Sequence, residues 1–342
     1  MPPFGPWIIV APAGKSADAE RLLRQQGSKG SQWKISGVAT LAAVTGAFGY
    51  TGKYIAERLL SQGYSVRTLT SRRPKDVDDR LMVAPLDFAD RNDLINSLRG
   101  ASLLFNTYWV RFPYGSVTFE QAVANTERLI EAAGAAGVRR IVHISVTNAS
   151  SSSPLPYFRG KGLTEESVVR SGLSHAILRP SLVFGREDIL VNNIAWILRR
   201  VPIFGVPGSG DYRVQPVSVE DVADLAVSAA VRTDNIVQDA VGPEVFSFRE
   251  LIRMISTAIG GRARIISVPP AVGMLAVALI GRLVDDVVLT AEELQGLTAN
   301  LLVSSGPSTG RRQFSDWLAE HAGSLGLHYA HELNRHYRSV AR

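Results

Sequence analysis

Short apolar runs alternate with segments whose apolar residues recur every three to four positions, and the alternation is regular from residue 38 onward. The run 38–44 (VATLAAV) reads as a buried strand. Residues 50–62 place Tyr54, Ile55, Leu59 and Leu60 at helical spacing and stop at Gly63, which predicts a helix. Residues 65–70 (SVRTLT) predict the next strand, so the three elements have the size of one βαβ unit. The same cadence predicts strands over 81–84, 101–105, 141–144 and 175–178, and helices over 91–98, 117–136 and 157–171. The fold class expected is α/β: a Rossmann doubly wound parallel sheet with right-handed crossovers.

Beyond Arg179-Pro180 the cadence loosens. A helix is expected over 191–200, then a Pro/Gly-rich loop (PIFGVPGSGDY) whose 205–212 portion would border a substrate cleft. Residues 216–230 predict a short strand and a helix that rejoins the main sheet, and the remainder to 342 is expected to be mostly helical. The apolar run 265–280 is broken by Ser267 and Pro269-Pro270 and falls short of the roughly 20 residues that span a bilayer. It predicts a buried helix after a Pro-Pro entry, with a monotopic membrane contact as the alternative. Residues 1–37, with Pro2, Pro3, Pro6 and Pro12, lack this patterning and are expected to form a poorly ordered extension. Their apolar stretch 7–12 has no basic residue before it and does not read as a secretory signal.

Composition narrows the chemistry. The chain of 342 residues has no cysteine, which excludes disulfides, thiolate metal sites and a cysteine nucleophile. The net charge is +6, carried mostly by arginine in scattered pairs rather than one tract. A nucleic-acid partner would need that charge gathered on a face, so none is expected; attraction to anionic membranes or acidic ligands stays open. His328 and His331 could share a helix face, but no carboxylate geometry supports them, and no metal site is expected.

The first strand-to-helix turn, residues 45–52, reads TGAFGYTG. Glycines at this spacing permit a sharp turn, a close backbone approach to a pyrophosphate and tight helix–sheet packing. The helix N-terminus then offers free N–H groups to phosphate. Gly46, Phe48, Gly49, Tyr50 and Gly52 are therefore the candidate pyrophosphate contacts of a dinucleotide. At the end of the second strand, an acid would bond the ribose of NAD, but the chain has TSRR at 70–73. Arg72 suits a 2′-phosphate, so NADP(H) is favoured over NAD(H); the alternative has Asp76 or Asp78 serving NAD. Asp87 and Phe88 after the third strand would meet the adenine, and Asn106 after the fourth would line the cofactor channel.

Residues 157–161 (YFRGK) place Tyr157 and Lys161 one helical turn apart. A nearby ammonium favours the phenolate, which suits proton exchange with a carbonyl or alcohol as hydride moves. Lys161 is the only lysine after Lys75 in a chain that otherwise prefers arginine. Ser145, at the end of the fifth strand, would orient the substrate oxygen. The alternative is a solvated surface pair. Gly160 weakens this helix for no reason visible in the sequence.

TGAFGYTG, IVHIS, YFRGK, ILRPSLVFG and QPVSVEDVADL, in this order, resemble the extended and atypical short-chain dehydrogenase/reductase superfamily. The likeness is to NAD(P)H-binding NmrA-like or sugar-nucleotide-epimerase-like proteins related to the 39 kDa accessory subunit of respiratory complex I. It covers roughly residues 38–230. It implies a trio of Ser145, Tyr157 and Lys161, with Lys161 also holding the nicotinamide ribose and Pro180 beside the nicotinamide. The Ser-to-Tyr gap is shorter than extended members usually show, so Thr147 could take the serine's part. The expected organisation is a 1–37 extension, a 38–230 NAD(P)-binding domain with 181–215 contributing to the cleft, and a 231–342 helical substrate or docking region. The expected function is an NADP(H)-dependent oxidoreductase or epimerase of small carbonyls or alcohols. The alternative is a non-catalytic NAD(P)H-binding structural, assembly or redox-sensing protein. Either would be cytoplasmic, with peripheral membrane or protein-complex contact open.

Overall fold

The structure, a computed structural model, describes residues 39–71 and 78–337, with His336 described by its backbone alone. The proposed 1–37 extension and Arg72 lie outside the described residues. From Leu41 onward the chain forms one compact unit. Its first half repeats strand and helix: β1 (Leu41–Thr45), α1 (Tyr50–Ser61), β2 (Ser65–Thr70), β3 (Leu81–Pro85), α2 (Arg91–Leu98), β4 (Leu103–Asn106), α3 (Phe119–Ala135), β5 (Arg140–Ile144), α4 (Pro156–Arg170) and β6 (Ser174–Pro180). The second half comprises β7 (Val183–Phe184), α5 (Ile189–Arg200), β8 (Ile203–Pro207), β9 (Arg213–Val214), β10 (Val217–Ser218), α6 (Val219–Ala230), β11 (Ile236–Ala240), β12 (Phe246–Ser247), α7 (Phe248–Ala258), β13 (Arg264–Val268), α8 (Pro270–Val284), α9 (Ala291–Thr298) and α10 (Phe314–His321).

Among the described residues the main sheet runs β11-β6-β5-β4-β1-β2-β3. Every pairing in it is parallel. All carboxyl ends therefore lie along one edge, and the strand order reverses between β1 and β4, where such sheets open a crevice. The central strands are apolar on both faces because helices cover both: β4 and β5 are buried at every position. One core holds Val44, Ile55, Leu59, Phe105, Val142 and Leu178 against α1 and α6. The other holds Leu94, Leu104, Leu129, Ile141, Val168 and Ile177 against α2, α3 and α4. A third, built on Phe184, Ile194, Leu251, Ile255 and Phe314, fills the region after β6.

Three sequence expectations shift. Helix α6 does return to the main sheet, but its preceding strand β10 pairs with β7, and β11 is the strand that joins the edge. Part of the Pro/Gly-rich loop is strand β8, which pairs in parallel with β13. The run 265–280 is not a buried helix. Its first residues belong to β13, and α8 starts at Pro270, where a ring that lacks an N–H is tolerated. Only Gly273 and Gly281 of α8 are buried. Apolar composition marked the helix, but burial needs a partner surface, and among the described residues its outer face meets none.

Candidate active site

Along the carboxyl edge each candidate side chain takes its place from the strand or helix that carries it. After β1 the chain turns through Gly46, whose φ of +68° is left-handed. A Cβ on Gly52 would sit 2.2 Å from the Gly46 carbonyl oxygen, so the turn and the first turn of α1 touch backbone to backbone. The N-cap of α1, Gly49, offers no side-chain bond to the helix, and the first turn carries no acid. No acid of the helix's own first turn opposes an anion there, and the nearby Glu187 is paired with Lys53 at 2.7 Å. This cradle fits a pyrophosphate. Phe48 is exposed beside it. Tyr50 turns away: its hydroxyl is buried against Gly185 of the β7–α5 turn, with no hydrogen-bond partner among the described residues.

The loops that follow β3 and β4 come together. Asp87 accepts from the Ala89 N–H and caps a turn. The Phe88 ring lies 4.7 Å from the Tyr108 ring. Asn106 is 1 % exposed and fully engaged. Its Oδ1 accepts from Thr45 Oγ1 and the Tyr108 N–H, which leaves Nδ2 to donate to His143 Nδ1. The imidazole thus carries its proton on Nε2, facing Thr164 Oγ1. Burial pushes His143 down to about 3, so it is a neutral interior residue. Asn106 ties the β1 and β4 ends to His143 of β5, which in turn reaches Thr164 on α4.

On α4, Tyr157 and Lys161 converge on one indole, that of Trp109. The Tyr157 ring meets it edge-on at 6.0 Å, and the Lys161 ammonium lies 4.7 Å over it. Lys161 is 3 % exposed, and its Nζ donates to the Ile144 carbonyl at 2.9 Å. Burial brings it down to about 7, against the opposing pull of Glu165. Burial raises the Tyr157 phenol well above its ordinary value, and Glu293 raises it further, while Arg111 lowers it. The lysine-driven lowering expected from the spacing is not seen, because the ammonium is turned onto the Ile144 carbonyl and the indole face. The Trp109 Nε1 is buried without a partner among the described residues. Gly160 now has its reason: a Cβ there would come within 2.8 Å of Trp109 Cη2. Gly160→Ala is expected to displace the indole and shift the intrinsic fluorescence; an unchanged spectrum would contradict that packing.

Ser145 is not aimed at Tyr157 by its own bonds. It donates to Glu165, which is also bonded by the Arg179 guanidinium through Nε at 2.9 Å. Thr147 donates to the Leu301 carbonyl at 2.8 Å. Pro180 lies at the β6 carboxyl end, where its carbonyl accepts from the Thr147 N–H. Residues from far along the chain close the site. Glu292 accepts from the Tyr157 N–H, and Arg111 pairs with Glu293 at 2.6 Å and Glu332 at 3.0 Å. Glu165 was findable, being one helical turn beyond Lys161. Trp109, Arg111 and Glu292 carried no spacing signal.

The profile of the NAD dependent epimerase/dehydratase family matches residues 42–242. The chain belongs to this family. As an epimerase/dehydratase-family chain it is 27 % identical to the mitochondrial NADH dehydrogenase [ubiquinone] 1 alpha subcomplex subunit 9 of Arabidopsis thaliana, over 80 % of this chain and 73 % of that protein. It is 30 % identical to the (4-alkanoyl-5-oxo-2,5-dihydrofuran-3-yl)methyl phosphate reductase of Streptomyces griseus, over 82 % of this chain and 97 % of that one. Its fold matches an NADPH-dependent quinone oxidoreductase of Escherichia coli, solved with NADPH, at a TM-score of 0.67 and 20 % identity, covering 82 % and 98 % of the two chains. The family binds NAD(P), and the glycine cradle at 46–52 is the part of this family member that fits its pyrophosphate.

Lys161 is held near 7 against an ordinary value of 10.5. Between those values the unfolded chain binds the extra proton, so stability rises with pH across that window. Wild type should gain stability relative to Lys161→Met between pH 7 and 10, by on the order of a few kcal/mol, in urea unfolding. A constant difference would mean that Lys161 titrates normally.

Proposed function

We propose that the protein is an NADP(H)-dependent oxidoreductase or epimerase of the short-chain dehydrogenase/reductase type, acting on a small carbonyl or alcohol. The observation that carries this reading is the convergence of Tyr157 and Lys161, one helical turn apart on α4, on the Trp109 indole at the carboxyl edge of the sheet. Gly46, Phe48, Gly49 and Gly52 would hold the pyrophosphate, Arg72 the 2′-phosphate, and Asp87 and Phe88 the adenosine end. Asn106 and Pro180 would border the nicotinamide end, and Tyr50 would brace the cradle from behind. Bound NADP(H) would supply or accept the hydride. A phenol raised by burial keeps its proton at neutral pH, so Tyr157 is set to donate to a substrate oxygen, the reductive direction. Lys161 keeps a titratable charge beside that helix face and would hold the nicotinamide ribose. The substrate oxygen would be oriented by Ser145 once released from Glu165, or by Thr147 once released from Leu301. Ser145→Ala and Thr147→Val distinguish the two. Residues 38–230 together with β11 would form the cofactor domain, with 181–215 and the rest of 231–342 shaping the substrate or docking region.

Two measurements test the cofactor assignment. Calorimetry should give tighter binding of NADPH than NADH, and Arg72→Gln should remove the preference. Equal affinities in wild type would reject Arg72 as the phosphate reader. A second reading is favoured by the Trp109 indole, which occupies the space beside both Tyr157 and Lys161, and by the complex I relatives. In it the chain binds NAD(P)H as a structural or assembly element without turnover. Slow cofactor exchange, no turnover across a carbonyl panel and co-migration with a larger complex would favour it over catalysis.

A further inference from the structure

The outer surface formed by β8, β13 and α8 has no role in the chemistry above. In the β8–β13 ribbon, Phe204, Val206 and Ile265 face the third core. Alternation and register then put Ile203, Arg264 and Ile266 on the opposite face. Helix α8 lies against part of that face, with Gly273 next to Pro207 and Val268. Its own outer residues are Val272, Leu275, Leu279 and Leu283, exposed at 51 %, 63 %, 52 % and 86 %. Ile203 and Ile266 are exposed as well. A helix apolar on all sides is normally buried, so this one lacks its covering surface.

We propose that this face docks on an anionic membrane surface, with α8 lying in the interfacial plane. At about 22 Å it is too short to cross the hydrocarbon core, and no described helix is long and apolar enough to do so. Its exposed leucines would rest among the headgroups, with Arg282 and, in the preceding strand, Arg264 at the lipid phosphates. The charge pattern selects the occupant. From residue 259 to 285 the charged residues are Arg262, Arg264 and Arg282, all exposed, and one acid, Asp285 at the α8 C-cap. The face is therefore net positive, and a contact with a second copy would bring together two surfaces of the same sign. Lipid phosphates neutralise the arginines. The proposal is independent of whether Tyr157 is catalytic.

The test is co-sedimentation of the full chain with phosphatidylcholine vesicles, with and without added phosphatidylglycerol. Binding should favour the anionic vesicles and weaken with salt. Leu275→Glu with Leu279→Glu should lower it roughly tenfold or more. Arg264→Gln with Arg282→Gln should lower binding to the anionic vesicles roughly tenfold and leave binding to the neutral ones unchanged. These positions are exposed, so circular dichroism should be unaltered; Leu283→Glu replaces any pair that fails to fold. No binding to either vesicle, or wild-type binding by the variants, would overturn the proposal. So would a solution dimer that the leucine variants dissolve, since the face would then join two copies.

Discussion

Replacing Tyr157 by Phe is expected to lower turnover of an identified carbonyl substrate by roughly 10²–10⁴-fold, the usual contribution of a positioned acid. NADPH affinity should stay within about twofold of wild type, because the phenol hydroxyl has no assigned part in holding the pyrophosphate. The ring remains, and with it the edge-on packing against Trp109, Phe119 and Phe158, so stability should change little. The pH profile gives a second readout. Burial raises the phenol, so Tyr157 keeps its proton through neutral and moderately alkaline pH, and the rate change there should follow Lys161, brought down to about 7. The residual rate of the variant should keep that Lys161-dependent change. Turnover unaffected by the substitution would remove Tyr157 from the chemistry and leave the structural reading standing.

The second large effect is expected at the cradle. In Gly52→Ala the new methyl would meet the Gly46 carbonyl oxygen at 2.2 Å and its carbon at 2.7 Å. Neither is the end of a flexible side chain, so the turn or the helix must move. Overpacking of this kind costs about 1–3 kcal/mol, and the displaced backbone is the part proposed to hold the phosphates. NADPH affinity should fall roughly tenfold to hundredfold. The melting temperature should fall by a few degrees as well. Calorimetry and a thermal melt of the same preparation read both. An alanine variant with wild-type affinity and melting point would show that the close approach is not needed. The contrast between the two variants is informative: Tyr157→Phe removes a proton and keeps the shape, whereas Gly52→Ala keeps the chemistry and alters the shape.

Much of this was legible in the chain itself. Alternating periods fixed the order of β1 through β6 and their helices, because each local segment has one face to bury and its spacing states which. The glycines at 46, 49 and 52 and the Tyr157–Lys161 spacing are local too, so the cradle and the pair on α4 were readable before any contact was known. The reason for Gly160 was not: it rests on Trp109, fifty-one positions earlier, and no short-range spacing encodes that approach. The same holds for Glu292 on the Tyr157 amide and for Arg111 between Glu293 and Glu332. Folding also decided the ionisation of Lys161 and Tyr157. Spacing suggested that the ammonium would lower the phenol. Burial moves both groups towards their neutral forms instead, since charge loses solvation in the interior, and the ammonium bonds a backbone carbonyl.

The run 265–280 divides the two kinds of information most clearly. Its apolar character is a property of the sequence, and so is its break at Pro269-Pro270. Whether it lies inside or outside depends on what packs against it, which only the tertiary structure decides. There β13 joins β8, and α8 is left with its leucines exposed. The sequence alone determined the parallel α/β scaffold, the glycine turn at 46–52 and the placing of Tyr157 and Lys161 on one helix face, because these follow from the periodicity and spacing of neighbouring residues. The tertiary structure alone decided which hydroxyls are engaged, which charges are buried and which apolar face stays uncovered, because those depend on groups brought together from opposite ends of the chain.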